Sequence, residues 1–235
     1  MEVLIESVDH EARGVGRNDN KVVFVENALP QEIVGVDIRR RKPSYETGVS
    51  TYIKSVSASR IKPRCVNFGV CGGCSFQHID ARTQLAIKQR VLEDALERIG
   101  SVRPEQILSP ICGPQFNYRS RARLSSRYVI KKEKALVGFR EKGKSYVVDM
   151  ASCEVLPDHI SRLLPELKLL VQSFSIRERV PQIEVACGND VNVLAFRMLE
   201  DPSLEDLRLL EQFAAKHDLV IFMQRGGPAT LTQIY

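Results

Sequence analysis

Several things are missing from this sequence, and each absence closes off a class of protein. No apolar run approaches the roughly 18 residues that a membrane-spanning helix needs. The opening MEVLIESVDH has neither a basic leader nor an apolar stretch, so no secretory signal peptide is expected. The 6 cysteines are clustered rather than spread, which argues against a secreted disulfide framework and for a reducing, cytoplasmic setting. No glycine-rich turn sits between a strand and a helix where it could cradle a nucleotide-type cofactor. The nearest candidates, Arg13-Gly14-Val15-Gly16-Arg17 and Arg225-Gly226-Gly227-Pro228, lack that context. There is no internal repeat and no low-complexity tract.

What remains is a chain of 235 residues, enough for one or two domains. At 43% hydrophobic it can bury a core. Lysine and arginine outnumber aspartate and glutamate 34 to 29, a net charge of +5, which is compatible with a polyanionic partner.

Residues 1–57 predict a small all-β unit. Alternating runs at Val3–Val8, Val22–Val25, Ile33–Ile38 and Thr51–Val56 are separated by turn-rich pieces such as RGVGRNDNK and NALPQE. Strands this short and closely spaced suggest a compact barrel. The run Arg39-Arg40-Arg41-Lys42 is read either as a solvated edge that discourages sheet pairing or as an RNA contact. From residue 58 a Gly/Pro-rich loop leads into an amphipathic helix over Thr83–Ile99, with Leu85, Leu92, Leu96 and Ile99 on one stripe, Asp80 as N-cap and Gly100 as stop.

Beyond that helix an antiparallel sheet is expected from Tyr118–Ile130, Ala135–Phe139 and Tyr146–Met150. A helix follows over His159–Phe174, with Pro165 expected to kink or interrupt it. A hairpin turns at Gly188-Asn189-Asp190, Ser203 caps a helix over Leu204–His217, and Leu219–Gln224 forms the last strand. The fold class is therefore α+β: a β-barrel at 1–57, then an antiparallel-sheet domain with flanking helices at 58–235.

Cys65, Cys71 and Cys74 fall within ten residues of one another, and Cys153 follows at a distance. Three thiols in one glycine-spaced loop suit a bound metal centre, and thiolate ligation fits an iron–sulfur cluster or a structural zinc. His78 allows a Cys65, Cys71, Cys74, His78 zinc tetrahedron that would not need Cys153. A redox disulfide at Cys71-x-x-Cys74 fits less well, because such motifs usually open a helix after a strand. Cys112 and Cys187 read as structural.

In RSRARLSSR, Arg119, Arg121, Arg123 and Arg127 occupy odd positions, so a strand would point all four to one face. Such a face needs carboxylates or an anion to answer it. Arginine meets phosphate through two parallel hydrogen bonds in a way lysine cannot. Tyr118, Phe139 and Tyr146 could stack on unpaired bases or serve as core.

These blocks resemble a known family. The stretch PRCVNFGVCGGCSFQHIDARTQLAIKQRVLEDAL is similar to the cluster loop and following helix of the bacterial RNA uracil-C5 methyltransferases, and FNYRSRARLS, VGFREKGK and VVDMASCEVL match its next blocks in order. The start, IESVDHEARGVGRNDNKVVFVENALPQE, resembles a TRAM domain, a small RNA-binding, OB-like β-barrel. Ala81 departs from the family, where an aromatic is frequent at that position.

The resemblance implies a [4Fe–4S] cluster on Cys65, Cys71, Cys74 and Cys153, with His78 beside it. It implies RNA contacts at Tyr118, Arg119, Arg121, Arg123, Phe139 and Arg140, and 23S ribosomal RNA as the partner of a cytoplasmic monomer with no membrane association. In the family an S-adenosylmethionine domain carries the nucleophilic cysteine and the base. No position here matches those motifs, so the chain is expected to be the recognition portion, inactive by itself.

Overall fold

Val3, Ile5, Val23, Val25, Val34 and Val36 point inward from short alternating strands and form one buried cluster with Ala28. Each such side chain stabilises the fold by roughly 1.5–3 kcal/mol relative to exposure. Around them close β1 (Glu2–Val8), β2 (Gly14–Asn18), β3 (Lys21–Glu26), β4 (Ile33–Arg41) and β5 (Tyr45–Ser55), in the order β1-β2-β3-β5-β4. β3 and β5 run parallel; the other pairings are antiparallel. The sequence pattern treats residues 13–21 as turn, yet they hold β2. Gly16 explains the difference: a Cβ there would sit 2.4 Å from the Leu4 carbonyl oxygen, so only glycine lets β2 pass this close to β1. The turn proper is Asp19-Asn20, both at positive φ, joining β2 to β3.

The computed structural model describes every residue from Met1 to Tyr235. They form two compact units, one of Met1–Gly69 with Cys74–Cys112 and one of Val70–Gly73 with Gly113–Tyr235.

In the first unit, Glu32 ties the barrel to the chain that leaves it. Its carboxylate is 0% exposed and accepts from the backbone N–H of Leu29 at 2.8 Å and of Ser57 at 3.2 Å, and from Arg60 Nε at 2.6 Å and Nη2 at 2.8 Å. Burial by itself would raise the Glu32 pKa. The Arg60 guanidinium and the two backbone donors outweigh it and hold the carboxyl below its usual range. Helix α1 (Ala81–Arg98) begins where expected, with Asp80 accepting from the N–H groups of Arg82 and Thr83, but none of its residues is buried.

The second unit is a sheet of six strands in the order β11-β10-β9-β8-β6-β7. They are β6 (Arg121–Val129), β7 (Lys134–Gly138), β8 (Gln182–Cys187), β9 (Asn192–Arg197), β10 (Val220–Gln224) and β11 (Leu231–Gln233). Helices α2 (Asp158–Ser173) and α3 (Leu204–His217) cover one face, over Leu124, Ile183, Val185, Leu194, Phe196 and Ile221. The sheet is not purely antiparallel, because α3 carries the chain across from β9 to a parallel β10.

Two further expectations need correcting. Tyr146–Met150 is not a strand. It is held alongside residues 139–141 by a single bridge, Arg140 to Val147, with Glu141 N–H on the Tyr146 carbonyl at 2.9 Å and Val148 N–H on the Phe139 carbonyl at 2.9 Å. Pro165 does not interrupt α2: it lies on the exposed side, while seven residues from Ile160 to Val171 are buried beneath the helix and keep it continuous. No helix is long and apolar enough to cross a membrane.

Candidate nucleic-acid interface and cysteine loop

β6 alternates as its sequence requires. Ala122, Leu124 and Ser126 are buried against the helices, while Arg121, Arg123 and Arg127 stand exposed on the opposite, uncovered face. On that face an open groove of about 1050 Å³ runs across β6, β8, β9 and β10, from Arg121 and Arg123 over Ala186, Val193 and Ala195 to Arg197. A second groove of about 620 Å³ shares Arg119, Arg123 and Gln182 with it and adds Arg140 and Lys142. The two are continuous and strongly cationic.

Carboxylates answer little of this charge. Arg123 Nε and Nη2 both lie 3.1 Å from Glu184 Oε1, an exposed pair worth at most about 1 kcal/mol. Arg140 Nε donates to Ser125 Oγ at 3.2 Å, and Arg121 and Arg197 have no ion-pair partner. The small side chains of Ala186 and Ala195 keep the floor of the groove low, so a flat, polyanionic ligand could approach the strands closely.

The expected contact residues separate into two groups. Arg121, Arg123, Arg140 and Tyr118 are exposed. Phe139 is only 8% exposed and is not available to stack on a base. It lies beneath the tip of the cysteine loop, where a Cβ on Gly73 would come within 3.1 Å of its ring. Arg119 is half-buried; its guanidinium sits 4.8 Å above the Phe139 ring and donates to the carbonyls of Arg121 at 3.2 Å and Gly73 at 3.4 Å. Arg197, Lys142 and Gln182 escaped the sequence reading. Arg197 was within reach of it, because the β8–β9 turn sets the register that pairs Arg197 with Gln182.

The loop tip Val70–Gly73 belongs to the second unit. It pairs antiparallel with the turn after β7: Cys71 bridges Glu141, Gly72 N–H donates to the Arg140 carbonyl at 2.8 Å, and Lys142 N–H donates to the Val70 carbonyl at 2.8 Å. Cys71 is 7% exposed and its Sγ accepts from Gly73 N–H at 3.4 Å. Cys153, 5% exposed, is fixed ahead of α2 by its N–H on Ser161 Oγ at 2.8 Å.

Cys65 and Cys74 belong to the first unit, both half-buried; Cys65 N–H donates to Gln77 Oε1 at 3.1 Å. His78, also in the first unit, is buried with its ring 5.2 Å from that of Phe68. The structure does not gather three or more Cys, His, Asp or Glu side chains into a metal-holding group. By donor chemistry the four cysteines fit an iron–sulfur cluster, and an N–H donating to Cys71 Sγ is the kind of bond that tunes cluster thiolates.

Residues 1–49 match the TRAM domain. A 23S rRNA (uracil(1939)-C(5))-methyltransferase RlmD from Nitrosospira multiformis is 52% identical over 233 residues, covering 99% of this chain and 53% of that protein. Nearly the whole of this chain is thus similar to the RlmD-type RNA uracil-C5 methyltransferases. The Cupriavidus pinatubonensis RlmD is likewise 52% identical, over 99% of this chain and 52% of its own length. The chain thus spans about half the length of the RlmD relatives it matches. Among solved structures, the Pyrococcus abyssi tRNA (uracil-54, C5)-methyltransferase in complex with S-adenosyl-L-homocysteine shares the fold. Its TM-score is 0.63 at 20% identity, covering 94% of this chain and 50% of that one.

Proposed function

We propose that these residues supply RNA recognition for S-adenosylmethionine-dependent uracil-C5 methylation, with 23S ribosomal RNA as the target. The supporting observation is the uncovered, arginine-rich sheet face, which continues into the groove at the cysteine-loop tip. Arg121, Arg123, Arg140 and Arg197 receive phosphates, and the exposed Tyr118 stacks on an unpaired base. Arg119 and Phe139 act from below, holding the loop tip.

The same reading assigns Cys65, Cys71, Cys74 and Cys153 to a [4Fe–4S] cluster. Support comes from the all-thiol donor set in the glycine-spaced loop and its distant fourth cysteine. When bound, the cluster supplies cross-links whose binding free energy is folding free energy. Methyl transfer is not assigned to these residues.

Two measurements test this. Double replacement Arg121→Glu and Arg123→Glu should abolish binding of a 23S-derived stem-loop while the circular dichroism spectrum is unchanged; retained binding would refute the interface. Anaerobically purified protein should be brown and contain acid-labile sulfide, and Cys153→Ser should lose both. A colourless protein with stoichiometric zinc would replace the cluster with a zinc site.

A further inference from the structure

We propose that Glu184 is a base-reading residue of the sheet-face groove: one oxygen of its carboxylate accepts from the exocyclic amino group of an unpaired cytosine or adenine that neighbours the methylated uracil. The inference rests on the RNA reading above and names what the groove reads in that RNA.

Glu184 is the one carboxylate among the residues that line the larger groove, where it stands among Arg119, Arg121, Arg123 and Arg197. Its place is central. It alternates with the buried Ile183 and Val185, and in register it sits between Arg123 on β6 and Ala195 on β9. A surface built only to hold phosphates gains nothing from an acid there, because the carboxylate repels each phosphate that the arginines attract. Folding does not account for it either. The side chains of Arg123 and Glu184 are 71% and 41% exposed, and pairs so exposed add little stability.

The contacts of Glu184 are lopsided. Arg123 Nε and Nη2, each at 3.1 Å, and Gln182 Nε2 at 2.8 Å all converge on Oε1. None of them falls on Oε2. Three donors on one oxygen fix the carboxylate and leave the other oxygen as a positioned acceptor. Arg123 keeps Nη1 for a phosphate, and Gln182 keeps its second amide N–H. The small side chains of Ala186 and Ala195 in the same groove leave room for a flat ring.

That set of groups selects by chemistry. Cytosine and adenine each carry an exocyclic amine beside a ring nitrogen that accepts. The amine donates to Glu184 Oε2, and the ring nitrogen accepts from Gln182 Nε2. Uracil fits worse, because carbonyl oxygens flank its ring N–H on both sides and the carboxylate repels them. Guanine presents two adjacent N–H donors to two carboxylate oxygens, and here Oε1 is already taken.

The test compares oligocytidylate, oligoadenylate and oligouridylate of equal length on the full chain by fluorescence anisotropy. The wild-type chain should bind the first two about tenfold more tightly than the third. Dimethylation of the cytosine N4, which removes the donors, should erase the advantage of oligocytidylate. Glu184→Met keeps the side-chain length without an acceptor. With an unchanged circular dichroism spectrum, it should bring the three oligomers to one affinity and bind oligouridylate at least as tightly as before. Equal wild-type affinity for all three, or a preference that survives Glu184→Met, would overturn base reading by Glu184 while leaving the arginine interface standing. Absence of binding to every oligomer and to the stem-loop would overturn both.

Discussion

Arg119 reaches back from the approach to β6, lies 4.8 Å over the Phe139 ring and donates at 3.4 Å to the carbonyl of Gly73. One side chain thereby joins the tip of the cysteine loop to the edge of the cationic groove. The loop and the interface are mechanically coupled within the second unit, whatever occupies the cysteines.

That coupling separates support from contact. Phe139→Leu keeps most of the buried volume and removes the aromatic face. It should cost about 1–2 kcal/mol of stability and leave RNA affinity within about threefold. A collapse of affinity at unchanged stability would make Phe139 a base-contacting residue instead. Denaturant unfolding and a binding titration on the same sample decide the matter.

Arg60 is the sole cation against the buried Glu32. Arg60→Ala leaves a desolvated carboxylate held by two backbone N–H groups, and should cost about 3–5 kcal/mol. Replacing both partners by uncharged residues of similar volume should recover part of that loss, which a double-mutant cycle in urea will read out.

Acid should weaken the protein in a defined direction. Burial pushes the pKa of Glu32 and Asp206 upward, but their donors win and leave both below the ordinary carboxylate values. The unfolded chain therefore takes up protons first as pH falls. The stability these groups contribute is complete above about pH 4.5, the ordinary glutamate value, and is lost as pH drops through the folded values. Circular dichroism followed from neutral to strongly acid pH should show cooperative loss, and Glu32→Gln should flatten the acid dependence while lowering stability at neutral pH.

Asp206 joins α3 to the segment after α2: its carboxylate accepts from Ser175 N–H at 2.7 Å, Ser203 N–H at 2.9 Å and the Ser175 hydroxyl. Asp206→Ala should cost about 2–3 kcal/mol, combining a lost capping box with stranded donors. An unchanged denaturation midpoint would show that water replaces the carboxylate.

Much of this was legible in the sequence because local rules and tertiary packing agree. The barrel valines, the Asp80 and Ser203 caps and the outward arginines of β6 all follow from period and capping chemistry. The failures arise where a distant neighbour decides. β2 is a strand because Leu4 leaves room only for glycine at position 16. Phe139 is buried because residues 70–73, far away in sequence, pack over it. Arg197 joins the groove through the β8–β9 register, and α2 stays whole because its buried face outweighs one proline on the exposed side.

The salt dependence of RNA affinity tests the central claim most directly. With about four arginines neutralising phosphates of unpaired RNA, log K should fall against log salt with a slope of roughly −3, and each Arg→Ala at Arg121, Arg123 or Arg197 should reduce the slope by about 0.7. A flat salt response, or a slope untouched by those replacements, would contradict an arginine-faced sheet as the RNA-binding surface.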